Sequence, residues 1–132
     1  KFTKLIFNDE EIPFYGDGTT ERDYTYIDDI IDGVVKAIRW VHTGQGIYEI
    51  FNLGESRTVS LKEMVATLEN EIGKKARVKV LPMQPGDVQR TCADISKAKK
   101  ILGYQPSTPF EEGIKRFVQW YREINNITVV NV

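Results

Sequence analysis

Apolar residues return at helical spacing in five stretches of the chain. Phe2, Leu5 and Ile6 have the spacing of the last turns of an amphipathic helix. No capping residue stands ahead of them, so the chain is expected to begin inside an element and to be part of a longer polypeptide. A second helix runs through Ile30, Ile31, Val34, Val35, Ile38 and Val41, with Asp28 able to cap it and Gly44 just past its end. Its apolar stripe is wide, which predicts cover on more than one side. Ser60-Leu61-Lys62-Glu63 is a capping box: the hydroxyl takes the N3 amide and the glutamate reaches back to the cap amide. Leu61, Met64, Val65, Leu68 and Ile72 follow at helical spacing, and Gly73 stops the run. A short helix over Ile95 to Leu102 ends at Gly103. Thr108-Pro109-Phe110-Glu111 reads as another capping box, with proline at the first helical position, and opens a helix burying Phe110, Ile114, Phe117, Val118 and Tyr121.

Between the helices lie strand candidates: Ile12 to Tyr15, Tyr24 to Tyr26, the branched and aromatic run Ile47 to Phe51, and the alternating Arg77 to Val80. There are no internal repeats, and the three valines of residues 128–132 carry no readable role. The pattern predicts a mixed α and β fold with helices packed on small sheets.

Composition narrows the class. At 132 residues the chain fits one domain with a moderate core. Its hydrophobic share of 41% and charged share of 28% are ordinary for a globular protein. Eighteen basic against nineteen acidic side chains leave a net charge of −1, and no basic helix interleaved with aromatics points to nucleic acid. Cys92 is a lone cysteine without a partner for an internal disulfide, which fits a reducing compartment. No apolar run approaches the ~20 residues of a membrane span. A cytoplasmic, soluble domain is expected.

The chain shows no self-contained catalytic machinery. The single histidine, His42, falls at a helix end, where a cation suits the dipole. One His and one Cys cannot make a soft-ligand zinc site, and neither a G-x-G-x-x-G nor a phosphate-loop motif occurs. What remains is a set of polar loops at strand ends. Arg22 follows a glycine turn, and a guanidinium fork suits a phosphate; the segment alone fits a surface pair with Asp17 or Asp23 better. The turn Pro85-Gly86-Asp87 can aim a carboxylate at sugar hydroxyls, or the acid can bond its own backbone.

Taken together, the segments "GDGTTERDYTYIDDIIDGVVKAI", "FNLGESRTVSLKEMVATLENEIG" and "LPMQPGDVQRTCADISKAKKILGYQPSTPFEEGIKRFVQWY" resemble the C-terminal portion of the nucleotide-sugar epimerases and dehydratases. These belong to the extended short-chain dehydrogenase/reductase family. The likeness runs in order from about Phe2 to Tyr121, and its "LPMQPGDV…T.AD" form most resembles UDP-glucuronate 4-epimerases, with UDP-glucose 4-epimerases close behind.

The resemblance implies roles for individual residues. Arg22 would hold the diphosphate and Asp87 the ribose hydroxyls, while Phe14 and Tyr15 would lie beside the uracil. Gln84 stands near where several members have an arginine. Arg90 would substitute for it or meet a uronate carboxylate, and Thr91 would line the sugar pocket. Asp28 and Asn52 match family positions too, although capping and strand-end bonding account for both.

It also implies what lies elsewhere. NAD, its glycine-rich loop and the Tyr-x-x-x-Lys pair belong to an N-terminal Rossmann half, and none of the six tyrosines here has lysine four residues on. Residues 1–127 would then be the nucleotide-sugar-binding domain, lacking the main Rossmann sheet, with 128–132 a tail. The helix over about 29–42 and the strand over about 47–53 would pack on the cofactor half, leaving apolar faces uncovered and favouring self-association as a homo-oligomer. A dehydratase or decarboxylase using the same grip is the alternative within the family; a stand-alone nucleotide-sugar-binding module is the alternative outside it.

Overall fold

The computed structural model describes residues 1–44 and 48–127. The described residues form five helices and four short strands, α1 (Phe2–Phe7), β1 (Glu11–Tyr15), β2 (Glu21–Arg22), α2 (Ile27–Val41), β3 (Val59–Ser60), α3 (Leu61–Ile72), β4 (Arg77–Leu81), α4 (Ser96–Leu102) and α5 (Phe110–Ile124). Their contacts gather into two units that interleave along the chain. The first holds Lys1–Thr20, Ser60–Asp87 and the chain from Glu111 onward; the second holds Glu21–Val59 and Val88–Phe110.

The first unit is built on β1 and β4, paired in parallel from Glu11 opposite Arg77 to Tyr15 opposite Leu81. Alternation along β1 sends Ile12 and Phe14 into a core with Ile6 of α1, Val65, Leu68 and Ile72 of α3, and Val118 of α5. Helix α3 has both ends closed locally. The Ser60 hydroxyl accepts the Glu63 amide at 3.1 Å, and Gly73 turns the chain out in the left-handed conformation at φ 76°. Its last carbonyls, on Glu71 and Ile72, accept from the Arg122 guanidinium at 3.0 and 3.1 Å, which supplies the partners that helix termini lack. Phe117 of α5 is exposed and not part of the buried face expected for it, because that face is centred on Val118 and Ile114.

The second unit packs α4 and the following loop around Tyr104, Ile95 and Ala98, with Phe51, Leu53, Ala93 and Leu102 against them. Tyr104 is fully buried, and its hydroxyl donates to the Gly54 carbonyl at 3.1 Å. Three local expectations change here. Helix α2 starts at Ile27 with Tyr26 as its cap residue, so Asp28 lies in the first turn and does not cap. The segment 24–26 is irregular, and so are residues 48–53, the described part of the strand expected over 47–53; position 47 lies outside the described residues. Extended chain becomes a strand only where another strand takes its amides and carbonyls. Tyr48 is instead 84% exposed, and Ile50 and Tyr48 face outward. The apolar stripe of α2 is uncovered: Ile27, Ile31, Val34, Val35, Ile38 and Val41 are all exposed.

Candidate functional site

Local turn chemistry shapes the site residues of the first unit. Beyond β4, the Asp87 amide donates to the Gln84 carbonyl at 3.1 Å. Pro85 and Gly86 occupy the two middle positions, and Gly86 has φ 82°, the combination that a type II turn requires. The turn carries Gln84 and Asp87 outward, both exposed. At the end of β1 the Gly16 amide donates to the Leu81 carbonyl at 2.8 Å. Tyr15 therefore leaves β1 next to the point where the chain leaves β4 toward the turn. Both are C-terminal ends of parallel strands, the edge at which such sheets take ligands. Phe14 does not share this position. It is only 9% exposed and belongs to the core, while Tyr15 is half-buried.

In the second unit, main-chain bonds set Arg22 beside Arg90 and Thr91. The Glu21 amide donates to the Gln89 carbonyl at 2.8 Å, and the Thr91 amide donates to the Glu21 carbonyl at 3.2 Å, so Glu21 and Arg90 form a parallel bridge. One guanidinium nitrogen of Arg22 donates to the Glu21 carbonyl at 2.7 Å. The Glu21 carboxylate lies 3.3 Å from Nε of Arg90 and accepts the Thr58 hydroxyl at 2.6 Å. Arg90 and Thr91 are exposed. Six of the seven residues expected at the site are thus divided between a turn-and-strand-end group, with Tyr15, Gln84 and Asp87, and a second holding Arg22 and Arg90 with Thr91 beside them; Phe14 alone is turned inward.

Two acids gained no role from sequence beyond a surface pair and a helix start. Asp23 accepts the amides of Glu55, Ser56 and Ala93 at 2.9, 3.1 and 3.1 Å, together with the Thr25 hydroxyl at 3.3 Å. Asp29, 7% exposed in the first turn of α2, accepts the Ser107 and Thr108 amides at 3.0 and 3.1 Å. An acid after an arginine and an acid near a helix start were the only local signals, because each partner is remote in sequence. These carboxylates colour their surroundings. Burial raises the Asp29 carboxyl, but the bonds from Ser107 and Thr108 prevail and hold it below the usual aspartate range. Burial, then the charges of Asp29 and Asp23, push Glu55 upward. Burial followed by the charges of Asp29, Glu55 and Asp23 pushes the Tyr104 hydroxyl up to about 12.

Among the described residues no group of His, Cys, Asp and Glu is arranged to hold a metal ion, and no helix is long and apolar enough to cross a membrane.

The sequence profile of the GDP-mannose 4,6 dehydratase family matches residues 2–117. An uncharacterised protein of Methanocaldococcus jannaschii is 49% identical over 93% of this chain and 36% of its own length. The UDP-glucuronate 4-epimerase of Thermodesulfobacterium geofontis is 43% identical over 93% of this chain and 37% of its own. Among solved structures, the UDP-glucuronic acid 4-epimerase of Bacillus cereus, in complex with UDP-glucuronic acid and NAD, superposes with a TM-score of 0.83 at 33% identity, covering 93% of this chain and 38% of that one. The chain therefore spans little more than a third of the length of these relatives.

A dinucleotide such as NAD is commonly held at a glycine-rich turn leading into a helix, whose first amides take the diphosphate. The described helices open after Lys1, Tyr26, Ser60, Ile95 and Pro109, none of them on such a turn, so the described residues do not fit the cofactor. With its mixed α and β units and a profile match over nearly all its length, the chain belongs to the GDP-mannose 4,6 dehydratase family of nucleotide-sugar epimerases and dehydratases, within the extended short-chain dehydrogenases/reductases.

Proposed function

We propose that this chain is the substrate-binding part of an NAD-dependent UDP-sugar 4-epimerase acting on UDP-glucuronate. The observation that carries the reading is the 43% identity to a UDP-glucuronate 4-epimerase across nearly the whole chain. It is supported in one unit by exposed Gln84 and Asp87 on the turn after β4, and in the other by part-buried Arg22 with exposed Arg90 and Thr91. Arg22 grips the diphosphate through charge-assisted bonds. Asp87 takes the ribose hydroxyls at the tip of its type II turn, and Tyr15 lies along the uracil. Arg90 and Thr91 face the sugar, with Gln84 beside the phosphates.

Residues 1–127 form the binding domain in this reading, and the uncovered stripe of α2, with the neighbouring segment 48–53, docks on an N-terminal half carrying NAD and the Tyr-x-x-x-Lys pair. That half supplies the redox chemistry. This chain binds and orients the sugar, which decides the face presented to the cofactor.

Calorimetric titration of UDP-glucuronate, UDP-glucose and dTDP-glucose into the full-length protein, with product stereochemistry read by NMR, tests the reading. UDP-glucuronate is expected to bind most tightly and to give the 4-epimer. Arg22→Ala and Asp87→Ala are each expected to weaken binding by about tenfold to a hundredfold, the worth of one charge-assisted bond. Unchanged affinity in both variants would overturn it. The family profile, named for a dehydratase, favours one second reading, a dehydratase with the same grip; a 4-keto-6-deoxy product would identify it.

A further inference from the structure

Asp23 follows Arg22 directly, yet its carboxylate is turned away from a surface pair and into the protein. It gathers main-chain donors from two remote loops: Glu55 and Ser56 at 2.9 and 3.1 Å, and Ala93 at 3.1 Å. The Ala93 bond is the informative one. Ala93 lies two residues beyond Thr91, so the bond fastens the far side of the segment that carries Arg90 and Thr91. The near side is fastened by the main-chain bonds of Glu21 to Gln89 and Thr91. Arg22 depends less on the carboxylate, since its guanidinium is steadied by the Glu21 carbonyl at 2.7 Å.

The turn at Gly54 closes the arrangement. A Cβ on Gly54 would stand 2.6 Å from that of Ala93 and 2.8 Å from Oδ2 of Asp23. Only glycine lets the two loops approach the carboxylate this closely.

We propose that Asp23 is a positioning residue for the sugar end of the substrate: it holds the Arg90–Thr91 segment at its working distance from Arg22. The inference rests on the nucleotide-sugar reading above and adds a division of labour to it. Nucleotide affinity comes from Arg22, Asp87 and Tyr15, while sugar affinity depends on a carboxylate that touches no substrate. Replacing one carboxylate oxygen by an amide sets an N–H against main-chain N–H groups, so Asp23→Asn loosens the segment without changing side-chain size. Gly54→Ala displaces the same carboxylate from the other side while leaving it in place.

The test is a comparison of two ligands on the full-length protein, UDP and UDP-glucuronate, by calorimetry well below each variant's melting temperature. Asp29→Asn serves as control, since it removes a buried carboxylate from the same unit without touching the segment. Asp23→Asn and Gly54→Ala are expected to raise the Kd for UDP-glucuronate by about tenfold, with UDP changed by less than about threefold. Asp29→Asn is expected to lower the melting temperature and leave both affinities intact. Should Asp23→Asn prove unfolded by circular dichroism, Gly54→Ala decides the outcome. Equal losses for the two ligands, or none in either variant, would overturn the inference alone. Failure of the unsubstituted protein to bind either ligand would overturn the nucleotide-sugar reading and this one with it.

Discussion

Asp29 and Glu55 are neighbouring acids with opposite electrostatic fates, and the contrast has consequences in pH. Amide donors from Ser107 and Thr108 outweigh burial at Asp29 and lower its pKa. Such a group contributes stability that is present above the ordinary aspartate value, about 4, and is lost as pH falls through the lower folded value. Asp29→Asn is therefore expected to cost about 1–3 kcal/mol in urea unfolding at pH 7 and less at pH 3. Glu55 is raised, by burial and then by the charges of Asp29 and Asp23, and its Oε2 is buried without a hydrogen-bond partner. Its charged form is disfavoured, so stability is highest below the ordinary glutamate range and declines as pH rises through the folded value. Glu55→Gln is expected to melt higher than the unsubstituted chain at pH 7.5 by calorimetry, with the gap closing at pH 3.5. A gap that widens in acid would contradict the assignment.

Elements whose ends are closed by local bonds were legible; those that depend on distant partners were not. The hydroxyl of Ser60 and the left-handed Gly73 bound α3 as the sequence indicates, because a cap needs only residues three or four apart. Ser60→Ala is expected to cost about 1 kcal/mol in denaturant unfolding with an unchanged m-value. The segment 48–53 carries strand-like composition but no strand, since composition does not supply a pairing partner. Helix α2 was legible in its apolar stripe and not in its start, where Asp29, not Asp28, is the acid that matters. The uncovered stripe predicts association at high concentration. Light scattering is expected to show species above monomer mass, and the paired substitution Ile31→Lys with Ile38→Lys is expected to return the monomer. A clean monomer before substitution would count against an open apolar face.

At the scale of the molecule, Arg22 and Asp87 belong to different units. The chain spans about 37% of the epimerase of Thermodesulfobacterium geofontis, and its sequence contains no Tyr-x-x-x-Lys. The isolated chain is accordingly expected not to turn over UDP-glucuronate, even with NAD added, in an NMR assay of product; any 4-epimer formed above a no-protein control would refute this.

By itself, the sequence determined the helices, the capped and glycine-stopped ends of α3, the turn at Pro85-Gly86-Asp87 and the family, through ordered motifs of adjacent residues. Each of these depends on groups a few positions apart, whose geometry the local backbone already dictates. Only the tertiary structure decided that there are two cores, that Phe14 is packing rather than surface, and that Asp23 and Asp29 work as anchors. The anchors bind amides at sequence separations of 32, 70 and 78 residues. A carboxylate's choice between a nearby arginine and a distant row of amides is settled by burial, and burial exists only once the chain has folded.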